Sequence, residues 1–168
     1  MTGPASGTPG GDLAREIIAA LAGRGETAAT AESLTGGLVA AALTSVAGSS
    51  AVFRGGIVAY AAPLKAELLG VPADLLAAHG PVYPSVAGAM ASGVRSRLGA
   101  TYGLATTGVA GPGPADGQEA GTVFVAVSGP GLSEVRGLRL AGSREDVRAA
   151  SVAAVLELLV SALPEDIS

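Results

Sequence analysis

A three-layer α/β/α domain around a mixed sheet of about five strands is the fold this sequence predicts. Three observations lead there. Short β-tolerant runs alternate with longer helical patterns along the chain, which is how strands joined by packed helices read. Two further runs, Gly121 to Val127 and Glu134 to Leu140, face each other across Gly129-Pro130-Gly131, as antiparallel partners do. Finally, 26 glycines and only 3% aromatic residues predict tight turns and close helix–sheet packing built from Ala, Val and Leu.

The elements follow in order. Residues 1–11, rich in Gly, Pro, Ser and Thr, are expected to be a flexible tail, with one domain over 12–164. Asp12 opens a helix to about Ala22, with Leu13, Ile17, Ala20 and Leu21 on one face and Gly23 and Gly25 ending it. Thr27 to Glu32 is the first strand and Thr35 to Val46 the second helix. Residues 47–50 form a turn. Gly55 to Tyr60 reads as a buried strand with Tyr60 at its carboxyl end. Pro63 fits the first turn of a helix that carries Lys65, Leu68 and Leu69 and stops at Gly70. Leu75 to His79 is one short turn, and Pro84 opens a helix to about Leu98, with Val86, Met90 and Val94 at helical spacing. Tyr102 to Thr107 is a strand that enters the loop Gly108 to Pro114. After the antiparallel pair, Ser143 caps a last helix with Glu145 and Asp146 in its first turn, as the helix dipole favours. Its buried stripe is Val147, Ala150, Ala154, Val155, Leu158 and Leu159, and Pro164 ends it.

Composition removes several classes of function. The 168 residues are 49% apolar and 14% charged, enough for one domain with a real core and too apolar for disorder over the main body. A net charge of −4 without a basic stripe argues against a nucleic-acid backbone as partner. There is no cysteine, so disulfides, thiolate metal sites and cysteine nucleophiles are out, and the single histidine, His79, cannot build a multi-histidine metal site. His79, in Ala-Ala-His-Gly-Pro, reads as structural. The first residues lack a secretory pattern, and no apolar run reaches the ~18–20 residues of a membrane span. A cytoplasmic protein needing no cofactor is the expectation. A homo-oligomer, a dimer first, is left open.

Chemistry concentrates in the stretch Thr30-Ala31-Glu32-Ser33-Leu34-Thr35-Gly36-Gly37-Leu38. It places Ser33 at a strand-to-helix junction. The first amides of a helix have no internal partner and carry the positive end of its dipole, and Gly36 and Gly37 leave them open to a ligand. A hydroxyl there could attack a carbonyl whose oxyanion those amides hold, with Thr35, Gly36 and Gly37 against the substrate. The competing reading is that Ser33 or Thr35 merely caps the helix. A second signal is the single lysine among nine arginines, Lys65. A lysine can lose its proton in a protein and an arginine cannot, so Lys65 is a candidate base, unless base composition alone left it there. Ser33, Tyr60 and Lys65 all fall where strands end or helices begin, and serine with lysine as base is a known alternative to the serine–histidine–aspartate arrangement.

In this order, "TAESLTGGL", "GSSAVFRGGIVAYAAPLKAELLGV", "HGPV", "TTGVAGP" and "GTVFVAV" resemble the C-terminal domain of CinA and its stand-alone relatives, the nicotinamide-nucleotide amidases. The resemblance covers roughly Leu13 to Leu163. It implies hydrolysis of the carboxamide of nicotinamide mononucleotide to nicotinic acid mononucleotide and ammonia. It also implies Ser33 as nucleophile, Tyr60 and Lys65 as its catalytic partners, and Arg144 near the start of the last helix in the site. Lys65, directly or through Tyr60, would take the serine proton, which requires a desolvated lysine. Gly108, Ala110 and Gly111 of the glycine-rich loop, with Arg144, are candidates for the ribose phosphate. The competing reading of Arg144 is a solvated cation in the first turn. The larger CinA proteins carry a further N-terminal domain, and this chain resembles the form without it. The family's usual Cys, Asn, Ser and Asp are replaced by Leu34, Ala62, Tyr83 and Ser143. A catalytically silent nucleotide-binding module, or an amidase for another amide, are the alternatives these replacements raise.

Overall fold

The computed structural model describes residues 7–165. Most of the expected N-terminal tail, residues 1–6, lies outside the described residues. The elements are α1 (Gly11–Arg24), β1 (Ala28–Glu32), α2 (Leu38–Thr44), a 3-10 turn (Ser49–Ala51), β2 (Phe53–Val58), α3 (Ala62–Leu69), α4 (Ala73–His79), α5 (Pro84–Leu98), β3 (Tyr102–Gly108), β4 (Thr122–Gly129), β5 (Leu132–Arg139) and α6 (Arg144–Ala162).

The five strands form one mixed sheet in the order β2-β1-β3-β4-β5. β1 runs parallel to β2 and β3, and β4 is antiparallel to both β3 and β5. Helices cover both faces. On one, Ile17 and Leu21 of α1, Val39 and Leu43 of α2 and Val155 and Leu159 of α6 pack against Leu104, Val123, Val125 and Val127. On the other, Leu69 of α3 and Val86, Met90 and Val94 of α5 pack against Ala29, Ala31, Ala105 and Ala126. The second layer sits close to the sheet because its contacts are small. A Cβ on Gly103 would lie 2.0 Å from the Ala91 carbonyl oxygen of α5, and within the helical layer one on Gly93 of α5 would lie 1.8 Å from the Leu69 carbonyl oxygen of α3. No side chain fits at either point, which is one use of the many glycines.

Several boundaries move, each for a physical reason. α1 begins at Gly11, capped by Gly10 in the left-handed region, so Asp12 lies inside the first turn instead of capping it. Gly23 is absorbed into the helix and Gly25, with φ of 64°, ends it. α2 is much shorter than expected, because Thr35 to Gly37 form a turn before it. The expected turn at Leu75 to His79 is a full helix from Ala73. β2 is not a buried strand: it lies at the sheet edge and its residues alternate between half-buried and exposed. Phe53 packs into one core layer and Ile57 into the other, but the strand has a neighbour on one edge only, which a single sequence does not reveal. α5 and the Ser143 cap are as expected, the latter as a full capping box with Asp146.

The connection from β1 to β2 runs through α2 on one face, and that from β2 to β3 through α3 to α5 on the other. β1 is therefore the strand about which the chain reverses, and the crevice beyond its carboxyl end is where open α/β sheets hold ligands.

Candidate active site

Ser33 is the first residue past β1. Its N–H donates to the carbonyl of Thr106 on β3 at 3.1 Å, so the parallel pairing fixes the serine at the sheet edge of the crevice. The same pairing continues on the other side, where the Ala59 N–H donates to the Glu32 carbonyl at 2.9 Å. This carries the chain past the end of β2 and brings the Ala59 carbonyl beneath α3. Lys65, on α3, reaches down into this gap. Its side chain is 1% exposed, and its Nζ lies 2.9 Å from Ser33 Oγ, 2.8 Å from the Ala59 carbonyl and 3.5 Å from that of Tyr60. Burial pulls the Lys65 pKa down from 10.5 to about 8, against a smaller upward pull from the Asp116 carboxylate. This is the desolvated lysine that the Ser-Lys reading requires.

Glu32, one residue before Ser33, is buried as deeply but is occupied differently. Its carboxylate accepts from the N–H of Val39 at 2.8 Å, the N–H of Ala40 at 3.1 Å and the Thr35 hydroxyl at 2.6 Å. Thr35 in turn lies 2.8 Å from the hydroxyl of Thr106. The carboxylate therefore caps α2 from outside the helix, satisfying first-turn amides that would otherwise lack partners. Neither Ser33 nor Thr35 is that cap, and those amides are not open to a ligand. Among the described residues, the Leu34 N–H is one backbone donor at the cavity without a partner.

Above Ser33 lies a cavity of about 180 Å³, lined by Leu34, Tyr60, the Gly108 to Gly111 stretch, Asp116 and Arg144 among others. Arg144, at the start of α6, donates to the Gly111 carbonyl at 2.7 Å and to the Tyr60 hydroxyl at 3.2 Å. It is held at the cavity rim rather than solvated freely. A second arginine one turn on, Arg148, donates to the carbonyls of Leu34 at 3.0 Å and Thr35 at 3.4 Å, tying α6 to the loop that carries the serine.

Residues 11–163 match the family of the CinA C-terminal domain. The chain belongs to that family. A CinA-like protein of Frankia casuarinae is 52% identical over 143 residues, which are 85% of this chain and 33% of that protein. A CinA-like protein of Anaeromyxobacter dehalogenans is 49% identical over 88% of this chain and 36% of its own length. This chain thus spans about a third of the length of these curated relatives. Among solved structures, the competence/damage-inducible protein CihA of Agrobacterium tumefaciens superposes with a TM-score of 0.87 at 38% identity, over 90% of this chain and 93% of that one. A CinA superfamily protein of Escherichia coli does so with a TM-score of 0.88 at 30% identity, over 97% and 94%. The mixed α/β fold is that of these structures.

Within this CinA domain, the expected residues separate into groups. Ser33 and Lys65 meet directly. Tyr60 contributes its backbone carbonyl near Lys65, whereas its ring is exposed and its hydroxyl meets Arg144, not the Ser33–Lys65 pair. A proton route through the Tyr60 hydroxyl is therefore not the geometry present. Gly108, Ala110, Gly111 and Arg144 line the cavity. Thr35 does not, since its hydroxyl is locked between Glu32 and Thr106, and Gly36 and Gly37 turn away at φ of 56° and 107° to set up α2. Glu32, Arg148 and Asp116 were not anticipated. Glu32 had a signal in the sequence, an acid just before a helix N-terminus, and Asp116-Gly117 is a turn dipeptide, whereas Arg148 had none. The departures from the family pattern are also accommodated. Leu34 joins the core, Ser143 keeps the helix cap, and Tyr83 stacks on His79 with ring centroids 3.9 Å apart.

Among the described residues, no helix is long and apolar enough to cross a membrane.

Proposed function

We propose that this domain hydrolyses the carboxamide of nicotinamide mononucleotide, giving nicotinic acid mononucleotide and ammonia, with Ser33 as nucleophile and Lys65 as base. The observation that carries this reading is the 2.9 Å approach of a buried lysine amine to a serine hydroxyl at the floor of the cavity. A neutral amine has two hydrogens and one lone pair. The carbonyls of Ala59 and Tyr60 can receive the hydrogens, which leaves the lone pair for the Ser33 proton. As Ser33 Oγ bonds to the carboxamide carbon, the unpartnered Leu34 N–H beside it is the backbone donor assigned to the developing oxyanion. The proton held on Lys65 then passes to the departing nitrogen, ammonia leaves, and an ester remains on Ser33. Lys65 deprotonates a water that attacks the ester, releasing the acid and restoring the serine. Arg144 offers the phosphate a guanidinium, and Ala110 and Gly111 offer it backbone N–H groups that have no partner among the described residues.

The test is ammonia release from the nucleotide by purified protein, against a Ser33→Ala control. Release above that control supports the amidase. Binding without release would make the domain a silent nucleotide-binding module, and release from free nicotinamide or pyrazinamide in preference to the nucleotide would make it an amidase for another amide.

A further inference from the structure

The cavity over Ser33 is lined by one basic and one acidic side chain, Arg144 and Asp116, among uncharged neighbours. The acid is the unexpected one. A carboxylate repels a phosphate-bearing ligand, and its field pulls the Lys65 pKa upward, against the neutral amine that the chemistry needs. Its position is nonetheless a built one. Ala115 and Gln118 exchange both backbone hydrogen bonds, at 3.0 and 2.9 Å, and close a two-residue turn. Asp116 and Gly117, the two central residues, both have positive φ, 50° and 74°. That is the type I′ turn, which sets the backbone at both positions and favours Asn-Gly or Asp-Gly, and Asp116 itself is exposed. The turn backs onto Gly80, whose Cβ position lies 3.8 Å from the Asp116 carbonyl oxygen. The Asp116 carboxylate itself accepts no hydrogen bond and joins no ion pair among the described residues.

We propose that Asp116 is a specificity residue whose carboxylate faces the positively charged ring of the bound nucleotide while Arg144 takes its phosphate, so that the cavity selects a ligand carrying both charges. The inference rests on the amidase reading above and adds the ring charge as a recognised feature. A pyridinium placed with its carboxamide over Ser33 puts a delocalised cation inside the same small cavity as the carboxylate. It also gives the acid a reason to be there despite its effect on Lys65. The turn alone does not supply that reason, because asparagine serves a type I′ turn as well as aspartate does.

That equivalence makes Asp116→Asn a clean test: it removes the charge and keeps the turn. The probes are nicotinamide mononucleotide and its reduced form, which keeps the carboxamide, ribose and phosphate but has a neutral ring. Binding is measured by calorimetry in a Ser33→Ala background, so that the lower electrophilicity of the reduced amide does not enter. The parent should prefer the oxidised form by about three- to tenfold, the size expected of one charge pair at a partly wet site. In Asp116→Asn that preference should fall to about onefold, with affinity for the reduced form unchanged or slightly better. An equal preference in both proteins overturns the assignment, as does equal binding of the two forms by the parent. Failure of both nucleotides to bind overturns it too. Ammonia release by the wild-type protein reports separately on the amidase reading. Release with no charge preference sinks Asp116 alone, and charge-dependent binding without release sinks the amidase alone.

Discussion

Glu32 and Lys65 are two fully buried ionisable side chains flanking the same serine, and they are treated in opposite ways. Glu32 is surrounded by donors: two first-turn amides of α2 and the Thr35 hydroxyl. Lys65 is surrounded by neutral oxygens, two backbone carbonyls and the Ser33 hydroxyl, with no carboxylate among the described residues in hydrogen-bonding reach. The two do not pair, because the carboxylate is already spent on the helix. The consequence is a division of labour. Glu32 is used to satisfy the first-turn amides of α2 and serves structure. Burial without an opposite charge penalises the charged form, and Lys65 is left with a pKa of about 8 and a use in chemistry. Had Glu32 turned toward Lys65, an ion pair would have held the amine protonated and α2 would have lost its cap.

The largest expected effects are on turnover. Ser33→Ala should reduce ammonia release to background, and Lys65→Met should lower kcat by at least about a hundredfold, the usual worth of a positioned base. Lys65→Met should nevertheless melt no lower than wild type, since it removes a desolvated amine and fills similar volume. A Lys65→Met protein with near-wild-type turnover would end the Ser-Lys reading. Lys65→Arg is the poorer probe, because a side chain 1% exposed leaves no room for a larger, permanently charged group.

Glu32→Ala should invert that pattern. It strands the amides of Val39 and Ala40, and a loss of about 2–4 kcal/mol in chemical denaturation is expected, whereas Glu32→Gln should recover part of it. A Glu32→Ala protein as stable as wild type would remove the structural half of the contrast.

Next in size is Arg144→Ala. Loss of one charge-assisted contact should raise KM for the nucleotide by an amount equivalent to about 1.5–3 kcal/mol. The dephosphorylated riboside, a poor substrate for wild type, should be affected less. Equal losses on both would remove Arg144 from phosphate recognition.

The smallest effects are those of pH. The base works as a neutral amine, so wild-type kcat/KM should rise as pH passes through about 8, and that limb should vanish in Lys65→Met. Asp116→Asn removes an upward pull on Lys65, so the limb should move to lower pH. Stability carries the same signature. The folded pKa lies below the unfolded value of 10.5, so the unfolded chain binds more protons between about pH 8 and 10.5. Over that window wild type should gain stability relative to Lys65→Met. Parallel stability profiles for the two proteins would show that burial does not perturb Lys65.

By itself the sequence determined most of the elements and which residue types carry the reactive groups. Ser33 at a strand-to-helix junction and a solitary Lys65 on a helix opened by Pro63 were both legible, because glycine, proline and apolar periodicity are local signals. The antiparallel hairpin, α5 and the Ser143 cap were legible for the same reason. What only the tertiary structure decided depends on contacts between segments far apart in the chain. The edge position of β2 follows from strand order, which no single strand encodes. The capping of α2 by Glu32, rather than by Ser33 or Thr35, follows from the turn at Gly36 and Gly37 folding the helix back over β1. The Tyr60 hydroxyl went to Arg144 because α6, 84 residues later, closes over the same crevice. Asp116 lines the cavity on the turn closed by Ala115 and Gln118, which the fold brings over the end of β1. Residue type and local periodicity name the reactive groups. Whether a buried charge is satisfied or left reactive is set by which distant oxygens and amides the fold brings within hydrogen-bonding distance of it.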